Sequence, residues 1–264
     1  MLVDSHCHLD FPDFADDLDA IVKRAETAGV GRIVTISTRV RKLDGLLAIA
    51  DRFPNVYCSV GTHPHNADEE DGITADELIA LAKHPKVVAL GEAGLDNHYT
   101  DGSPAAQERG FRAHIAAARA TGLPLVIHTR EADERCGEIL DEEIAKGPFK
   151  AVLHCYTGGR DLAMKAISLG LSISFTGILT FKNSQAIRDI AAELPADRIM
   201  VETDAPYLAP GKYRGKRNEP SFVTETARVL AETRGVSVDE IARQTTENFF
   251  RLFDKVPRPD AKAA

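Results

Sequence analysis

Tryptophan is absent from this 264-residue chain, and no apolar run approaches the roughly 20 residues that span a bilayer. The first absence removes the strongest stacking platform for an unpaired base, and the second removes a membrane-spanning role. Cysteine is scarce: Cys7, Cys58, Cys136 and Cys155 lie far apart with no CxxC spacing. They read as reduced thiols in the core or near a site, not as a disulfide framework. An excess of positive charge is also missing, since 32 Lys and Arg face 40 Asp and Glu for a formal charge of -8. That argues against a protein that coats nucleic acid, but bound divalent ions and a local basic loop can reverse the sign at a site. Gly-x-Ser-x-Gly is absent, which excludes the strained serine elbow of the α/β-hydrolases. The opening Met1-Leu2-Val3-Asp4-Ser5-His6 lacks the basic-then-apolar pattern of a secretory signal, so the cytoplasm is the default expectation.

What is present is alternation. Short β-branched runs occur at Leu2–Ser5, Arg32–Ser37, Val56–Gly61, Val87–Gly91, Pro124–His128, Ala151–His154, Leu171–Phe175 and Ile199–Glu202. Each is followed by a stretch with helical spacing, such as Leu18, Ile21, Val22, Ala25 or Phe111, Ile115, Ala118. Thr74 with Glu77 and Ser237 with Glu240 fit capping boxes, and Ser103-Pro104 fits an N-cap followed by an N1 proline. Eight β-then-α units in residues 1–256 predict a single-domain (β/α)8 TIM barrel. A doubly wound sheet is disfavoured because no glycine-rich fingerprint follows the first strand, and uneven loops argue against a solenoid. Residues 257–264, rich in Pro and Ala, are expected to fray as a disordered tail.

The ionisable residues gather where such barrels build their sites, at the C-terminal ends of the strands. His6 and His8 end the first strand and, two apart on extended chain, project to the same side. His63 and His65 follow the third strand, Glu92 the fourth; His128 ends the fifth, His154 the sixth, and Glu202 and Asp204 the eighth. His6, His8, Glu92, His128, His154 and Asp204 are therefore the expected metal ligands. Six ligands exceed a mononuclear site and suit two divalent ions sharing a carboxylate. Glu92 is the expected bridge, with His6, His8 and Asp204 on one ion and His128 and His154 on the other. Asp204 is either a general base for a metal-acidified water or a plain ligand, and Glu202 supports a histidine from behind. His84, His98 and His114 are expected on the surface, and the acidic loop Asp68–Asp71 reads as a solvated run. Lys212, Arg214, Lys216 and Arg217 crowd one loop after the eighth strand of an acidic chain and suit phosphate oxygens.

These motifs resemble the TatD-type metal-dependent deoxyribonucleases among the amidohydrolase-like barrels. The pieces are Asp4–Asp10, Gly61–His65, Gly91–Asp96, Val126–Arg130, His154–Gly158, Glu202–Tyr207 and Arg214–Pro220. The resemblance implies a divalent-metal barrel that hydrolyses phosphodiester bonds of DNA, as an exonuclease or repair-type nuclease. It assigns the same six residues to metal and sets His63 near the scissile phosphate. Asp204, Glu92 and His63 become the expected catalytic groups, and His63, Arg130, Arg214, Lys216 and Arg217 the expected substrate contacts. Other barrels of the superfamily carry a modified lysine as the bridge at strand four, so Glu92 favours the nuclease branch. Asn97-His98 departs from the aromatic residues common there in relatives, leaving Tyr99, Tyr156, Tyr207 and Phe181 as weaker stacking candidates.

Histidine-rich ligation favours zinc, manganese or iron, whereas nucleases of this type are described with magnesium or manganese. The expected partner is DNA as substrate, with no membrane and no protein partner, and a monomer is the simplest state. The alternative keeps the ions and changes the bond to an amide or ester, as in a D-aminoacyl-tRNA deacylase. A non-catalytic metal-binding protein is the third reading, and the full ligand set speaks against it.

Overall fold

The computed structural model describes residues 1–99 and 102–259. Eight parallel strands pair in sequential order, β1-β2-β3-β4-β5-β6-β7-β8. They are β1 (Leu2–Cys7), β2 (Val30–Thr35), β3 (Val56–Val60), β4 (Val87–Asp96), β5 (Leu125–Arg130), β6 (Ala151–Leu153), β7 (Ser172–Phe175) and β8 (Ile199–Val201). A bridge between Cys7 and Ala205, with Asp204 N–H donating to His6 O and His8 N–H to Ala205 O (2.8 Å each), brings β1 to the end of β8. The result is the expected TIM-type barrel, nearly closed.

Helices follow the strands: α1 (Leu18–Thr27), α2 (Leu43–Arg52), α3 (Ala75–Leu81), α4 (Pro104–Thr121), α5 (Asp133–Ile144), α6 (Arg160–Ser168), α7 (Gln185–Glu193), α8 (Val223–Arg234) and α9 (Val238–Leu252). Their starts obey the capping chemistry read from the sequence. Thr74 accepts from Glu77 N–H, Ser103 from Ala106 N–H and Ser237 from Glu240 N–H. The apolar stripes point inward as spaced, with Ile21, Val22, Ala25, Phe111, Ile115 and Ala118 buried. Among the described residues no helix is long and apolar enough to cross a membrane.

Two apolar layers result. One lies between strands and helices; the other fills the barrel interior. Val3, Val34, Val88, Val126, Val152 and Met200 form the inner layer, and Phe249 of α9 and Phe253 at its C-cap pack against it. The ninth helix thus joins the interior core in addition to the eight β/α units. Val256 is buried in that same layer, Pro257 O accepts from Arg32, and Arg258 pairs with Glu247 across the Phe250 ring. The rest of the stretch expected to fray, 260–264, lies outside the described residues.

The inner layer explains where the polar residues point. His128 is two residues beyond Val126, His154 two beyond Val152 and Glu202 two beyond Met200, so each stands one inward step above an apolar floor. On β1 the register with β2 shifts between Asp4 and Cys7. That irregularity changes face parity: Val3 is in the inner layer and Cys7 in the outer one. His6 and His8 thereby join the interior.

Candidate metal centre

Glu92 is the hub. Its Oε1 lies 2.6 Å from His154 Nε2, 2.8 Å from His128 Nδ1 and 3.5 Å from His63 Nε2. Its Oε2 lies 3.3 Å from His6 Nε2 and 4.0 Å from His8 Nε2. Asp204 Oδ1 faces the same two rings, 3.5 Å from His6 Nε2 and 3.3 Å from His8 Nε2. The structure therefore brings all six expected ligands together, with His63 beside them. Among the described residues three groupings could each hold an ion: His6, His8 and Glu92; His63, Glu92 and His128; and His6, His154 and Glu202. Glu92 touches both histidine sets.

Local backbone sets these distances. Gly94 lets β4 approach β5, because a Cβ there would stand 1.9 Å from the His128 carbonyl oxygen. Gly61 likewise lets the end of β3 meet β4, a Cβ there standing only 2.4 Å from Gly91 Cα, and a Cβ on Gly91 would stand 2.5 Å from Val126 O of β5. Asp204 holds φ of 58°, a left-handed conformation that aspartate tolerates better than most residues. The barrel-closing hydrogen bond from its N–H to His6 O fixes it there.

Hydrogen bonds from behind orient His8, His63 and His128. His8 Nδ1 is 3.2 Å from Ile36 O, which sets that nitrogen as donor and turns the Nε2 lone pair to the cluster. His63 Nδ1 accepts from His65 N–H (3.1 Å), so the neutral ring carries its proton on Nε2. His154 Nδ1 is 3.5 Å from Glu202 Oε1, and its ring stacks on His6 with centroids 3.9 Å apart. His128 Nε2 meets Asp96 Oδ2 at 2.9 Å, and His65 Nε2 meets the same oxygen at 3.0 Å.

The electrostatics follow burial and partners. Burial acts to raise the Glu92 pKa, but His154, His63, His6 and His128 together hold it well below the usual carboxylate range. Asp204 is depressed in the same way, with burial outweighed by His8, His6 and His154. Burial drives His63 well down, whereas His154 is raised despite burial because Glu92 and Glu202 flank it. A cluster of ionised carboxylates and convergent imidazoles is an N/O donor set for a divalent metal.

Orphaned polar atoms test that fit. His6 Nδ1, Glu92 Oε2 and His154 Nδ1 are buried without a hydrogen-bond partner. Buried polar groups rarely lack partners, and Glu92 Oε2, which faces His6 Nε2 and His8 Nε2, marks a place built for another occupant. Residues and donor chemistry fit a metal.

Several expectations need correction. His114 is buried, not on the surface: Nε2 accepts from Thr62 N–H (3.1 Å) and Nδ1 donates to Gly110 O (2.7 Å). Burial lowers it to about 4, leaving a neutral structural histidine. In the acidic loop Asp68, Glu69 and Asp71 are exposed as expected, and Glu70 is the exception. Glu70 is buried and clamps Val40 N–H, Arg41 N–H and the Thr62 hydroxyl, while Asp68 holds Ser103 and Asp71 holds Arg109. Among the basic residues, Arg217 forks onto both oxygens of Asp17 (2.9 and 2.8 Å) and stacks on Phe14, so its guanidinium is already engaged. Arg130 lies over Tyr99 and Arg214 over Phe181, and Lys216 is exposed.

Two carboxylates were not singled out from the sequence. Asp96 orients His128 and His65 and accepts from His98 and Tyr99 N–H. Its signal was an even spacing from Glu92 on a strand that runs past Gly91. Asp4 is fully buried, accepts from Thr203 N–H (2.8 Å) and Oγ (2.6 Å), and is pushed up to about 8 by burial. Its signal, an acid two residues before His6, is faint without its partner.

Comparison with known proteins agrees with this architecture. A family profile described as TatD related DNase matches residues 3–254. The metal-dependent hydrolase YcfH of Escherichia coli (strain K12) is 41% identical over 255 residues, covering 96% of this chain and 95% of that one. The 3'-5' ssDNA/RNA exonuclease TatD of Enterobacter lignolyticus (strain SCF1) is 37% identical over 257 residues, 96% and 98% of the two chains. The crystal structure of YJJV, a TatD homologue from Escherichia coli K12, superposes with a TM-score of 0.88 at 31% identity, covering 97% and 98%.

Proposed function

The chain belongs to the TatD-related DNase family of metal-dependent hydrolases, and from that premise we propose that it cleaves phosphodiester bonds of single-stranded DNA as an exonuclease. The observation that carries the reading is Glu92, one carboxylate in reach of both histidine sets. His6, His8 and Asp204 would hold one divalent ion and His128 and His154 the other, with Glu92 shared; zinc, manganese or magnesium are the candidates. Bound divalent ions supply Lewis acidity, making water a nucleophile near neutral pH and neutralising charge on phosphorus oxygens. Asp204, kept ionised by His8 and His6, accepts the proton of the attacking water at its free carboxylate oxygen. His63, neutral with its proton on Nε2, donates that N–H to a phosphate oxygen. Arg130, Arg214 and Lys216 offer positive charge for flanking phosphates; Arg217, already bound to Asp17, contributes through the shape of its loop. The exonuclease name of the Enterobacter relative supports the choice of a single strand over a duplex.

The test is metal analysis of purified protein with cleavage of end-labelled single- and double-stranded DNA. Wild type is expected to bind two ions per chain and to shorten single strands in a metal-dependent way. Glu92→Ala is expected to stay folded and lose cleavage by at least about a thousandfold. Full activity in a folded Glu92→Ala protein, or turnover of an aminoacyl ester in place of DNA, sinks the proposal.

A further inference from the structure

Away from the histidine cluster, a cleft of about 590 Å³ opens between the β7–α7 and β8–α8 connections. Its walls are built and stitched together. Gly211 N–H donates to Thr180 Oγ across the two loops (2.7 Å), and the Arg188 guanidinium grips Leu179 O and Phe181 O from beneath. A Cβ on Gly177 would meet Leu208 O at 2.2 Å, so the loops pack as closely as backbone allows.

The cleft is basic within an acidic chain. Lys182, Lys212, Arg214 and Arg228 line it against a single acid, Glu225. Glu225 is occupied by Lys212 (3.2 Å) and Arg228 (3.1 Å). Among the described residues Lys182 and Arg214 enter no ion pair, and Arg214 is propped over the Phe181 ring, 4.7 Å from its centroid. Unpaired positive charge therefore faces the cavity.

The start of α7 opens onto the same cleft. Ser184, its N-cap and a cavity-lining residue, is 8% exposed, and its hydroxyl caps nothing. The first turn of α7 carries no acidic side chain. A helix N-terminus leaves N–H groups without intrahelical partners and a positive dipole end, which suit an anion. Here that end, a buried free hydroxyl and two unpaired cationic side chains converge on one cavity.

We propose that this cleft is an anion subsite that takes a phosphate of the nucleic-acid strand other than the one being cut. The proposal rests on the nuclease reading above and adds to it Lys182, Ser184 and the α7 N-terminus, none of which the basic loop signalled. Lys182 and Arg214 supply charge, and Ser184 Oγ supplies a directed donor at the positive end of α7.

Two measurements decide it. Metal-free protein is titrated calorimetrically with inorganic phosphate, for wild type, Lys182→Ala, Ser184→Ala and the double variant, with circular dichroism confirming the fold. Saturable binding weakened at least tenfold in the double variant is expected, and variants that bind as tightly as wild type overturn the site. The metal-loaded enzymes are then compared on a single-stranded octanucleotide and on a dinucleoside monophosphate, whose only phosphate is the scissile one. Lys182→Ala is expected to raise KM for the octanucleotide about tenfold more than for the dinucleotide, with kcat little changed. Equal KM changes on both substrates overturn the flanking-phosphate role. Wild type that cuts neither substrate sinks the nuclease reading alone, while the phosphate titration still decides the cleft.

Discussion

Glu202→Gln isolates the support given to the cluster from behind. The Glu202 side chain is 1% exposed and accepts three hydrogen bonds, from Cys155 N–H (2.6 Å), Ser174 Oγ (2.7 Å) and Ser5 Oγ (3.3 Å). The same carboxylate stands 3.5 Å from His154 Nδ1. Glutamine fits the space but replaces one acceptor oxygen with a donor. Cys155 N–H cannot reverse its role, so the amide oxygen must stay there and the NH2 must turn to the serines. Their hydroxyls can rotate to accept, and Ser5 can still donate its O–H to Val201 O. Hydrogen bonds to a charged acceptor contribute about 1.5–3 kcal/mol and neutral ones about 0.5–1.5. Two short bonds downgraded by about 1 kcal/mol each give a loss of about 2 kcal/mol, or on the order of 4–8 °C in Tm for a chain of this size.

The functional effect is separate from that loss. With the carboxylate gone, nothing negative holds the Nδ1 edge of His154 while its Nε2 faces Glu92. Removing such an orienting partner lowers metal affinity about 10–100-fold. Chelator-competition titration reads the affinity, and thermal unfolding of the metal-free protein reads the fold. Glu202→Ala leaves Cys155 N–H and both hydroxyls without their acceptor, so it is expected to be less stable than Glu202→Gln. A Glu202→Gln protein with wild-type Tm and wild-type metal affinity refutes the reasoning, because neither the bonds nor the His154 contact would then matter.

Other expectations follow from the same geometry. Gly94→Ala forces a Cβ against the His128 carbonyl on a backbone held at φ of 150°, and it should lose about 3 kcal/mol or more, read by denaturant unfolding. A Gly94→Ala protein of wild-type stability would show that β4 and β5 can separate freely. His114, held at about 4 by burial against an ordinary 6.5, stays neutral in the fold while the unfolded chain takes up a proton below pH 6.5. Its contribution is complete above pH 6.5 and is lost as pH falls toward 4, by about 3 kcal/mol in total. Wild type should therefore lose more stability between pH 7 and 4.5 than His114→Gln does, and parallel pH curves would contradict this. Adding a divalent metal at about 100 times its Kd should stabilise the stripped protein by about 2.7 kcal/mol, read as a rise in Tm. No metal at any concentration shifting Tm would contradict a preformed ligand cluster.

What could be read from the chain divides along the range of the interaction. Val126-Ile127-His128 and Ala151–His154 carry their own geometry, because alternation alone puts His128 and His154 on the face of Val126 and Val152. The eight strands and the caps at Thr74, Ser103 and Ser237 are local in the same sense. Asp96 escaped because Gly91-Glu92-Ala93-Gly94 reads as the end of a strand. The glycines there are required by the close approach of β3 and β5, so β4 continues to Asp96. The burial of His114 is legible in the spacing: it sits three residues past Phe111 and beside Ile115, on the buried stripe of α4. The pairings of Asp4, Glu70 and Arg217 are not legible in the sequence. Their partners Thr203, Val40 with Thr62, and Asp17 stand 199, 30, 8 and 200 residues away. Periodicity states which face a side chain takes, and only tertiary structure states which charge is already answered. Arg217 is held by Asp17, whereas Lys182 and Arg214 line a cavity whose one acid, Glu225, is paired with Lys212 and Arg228 instead.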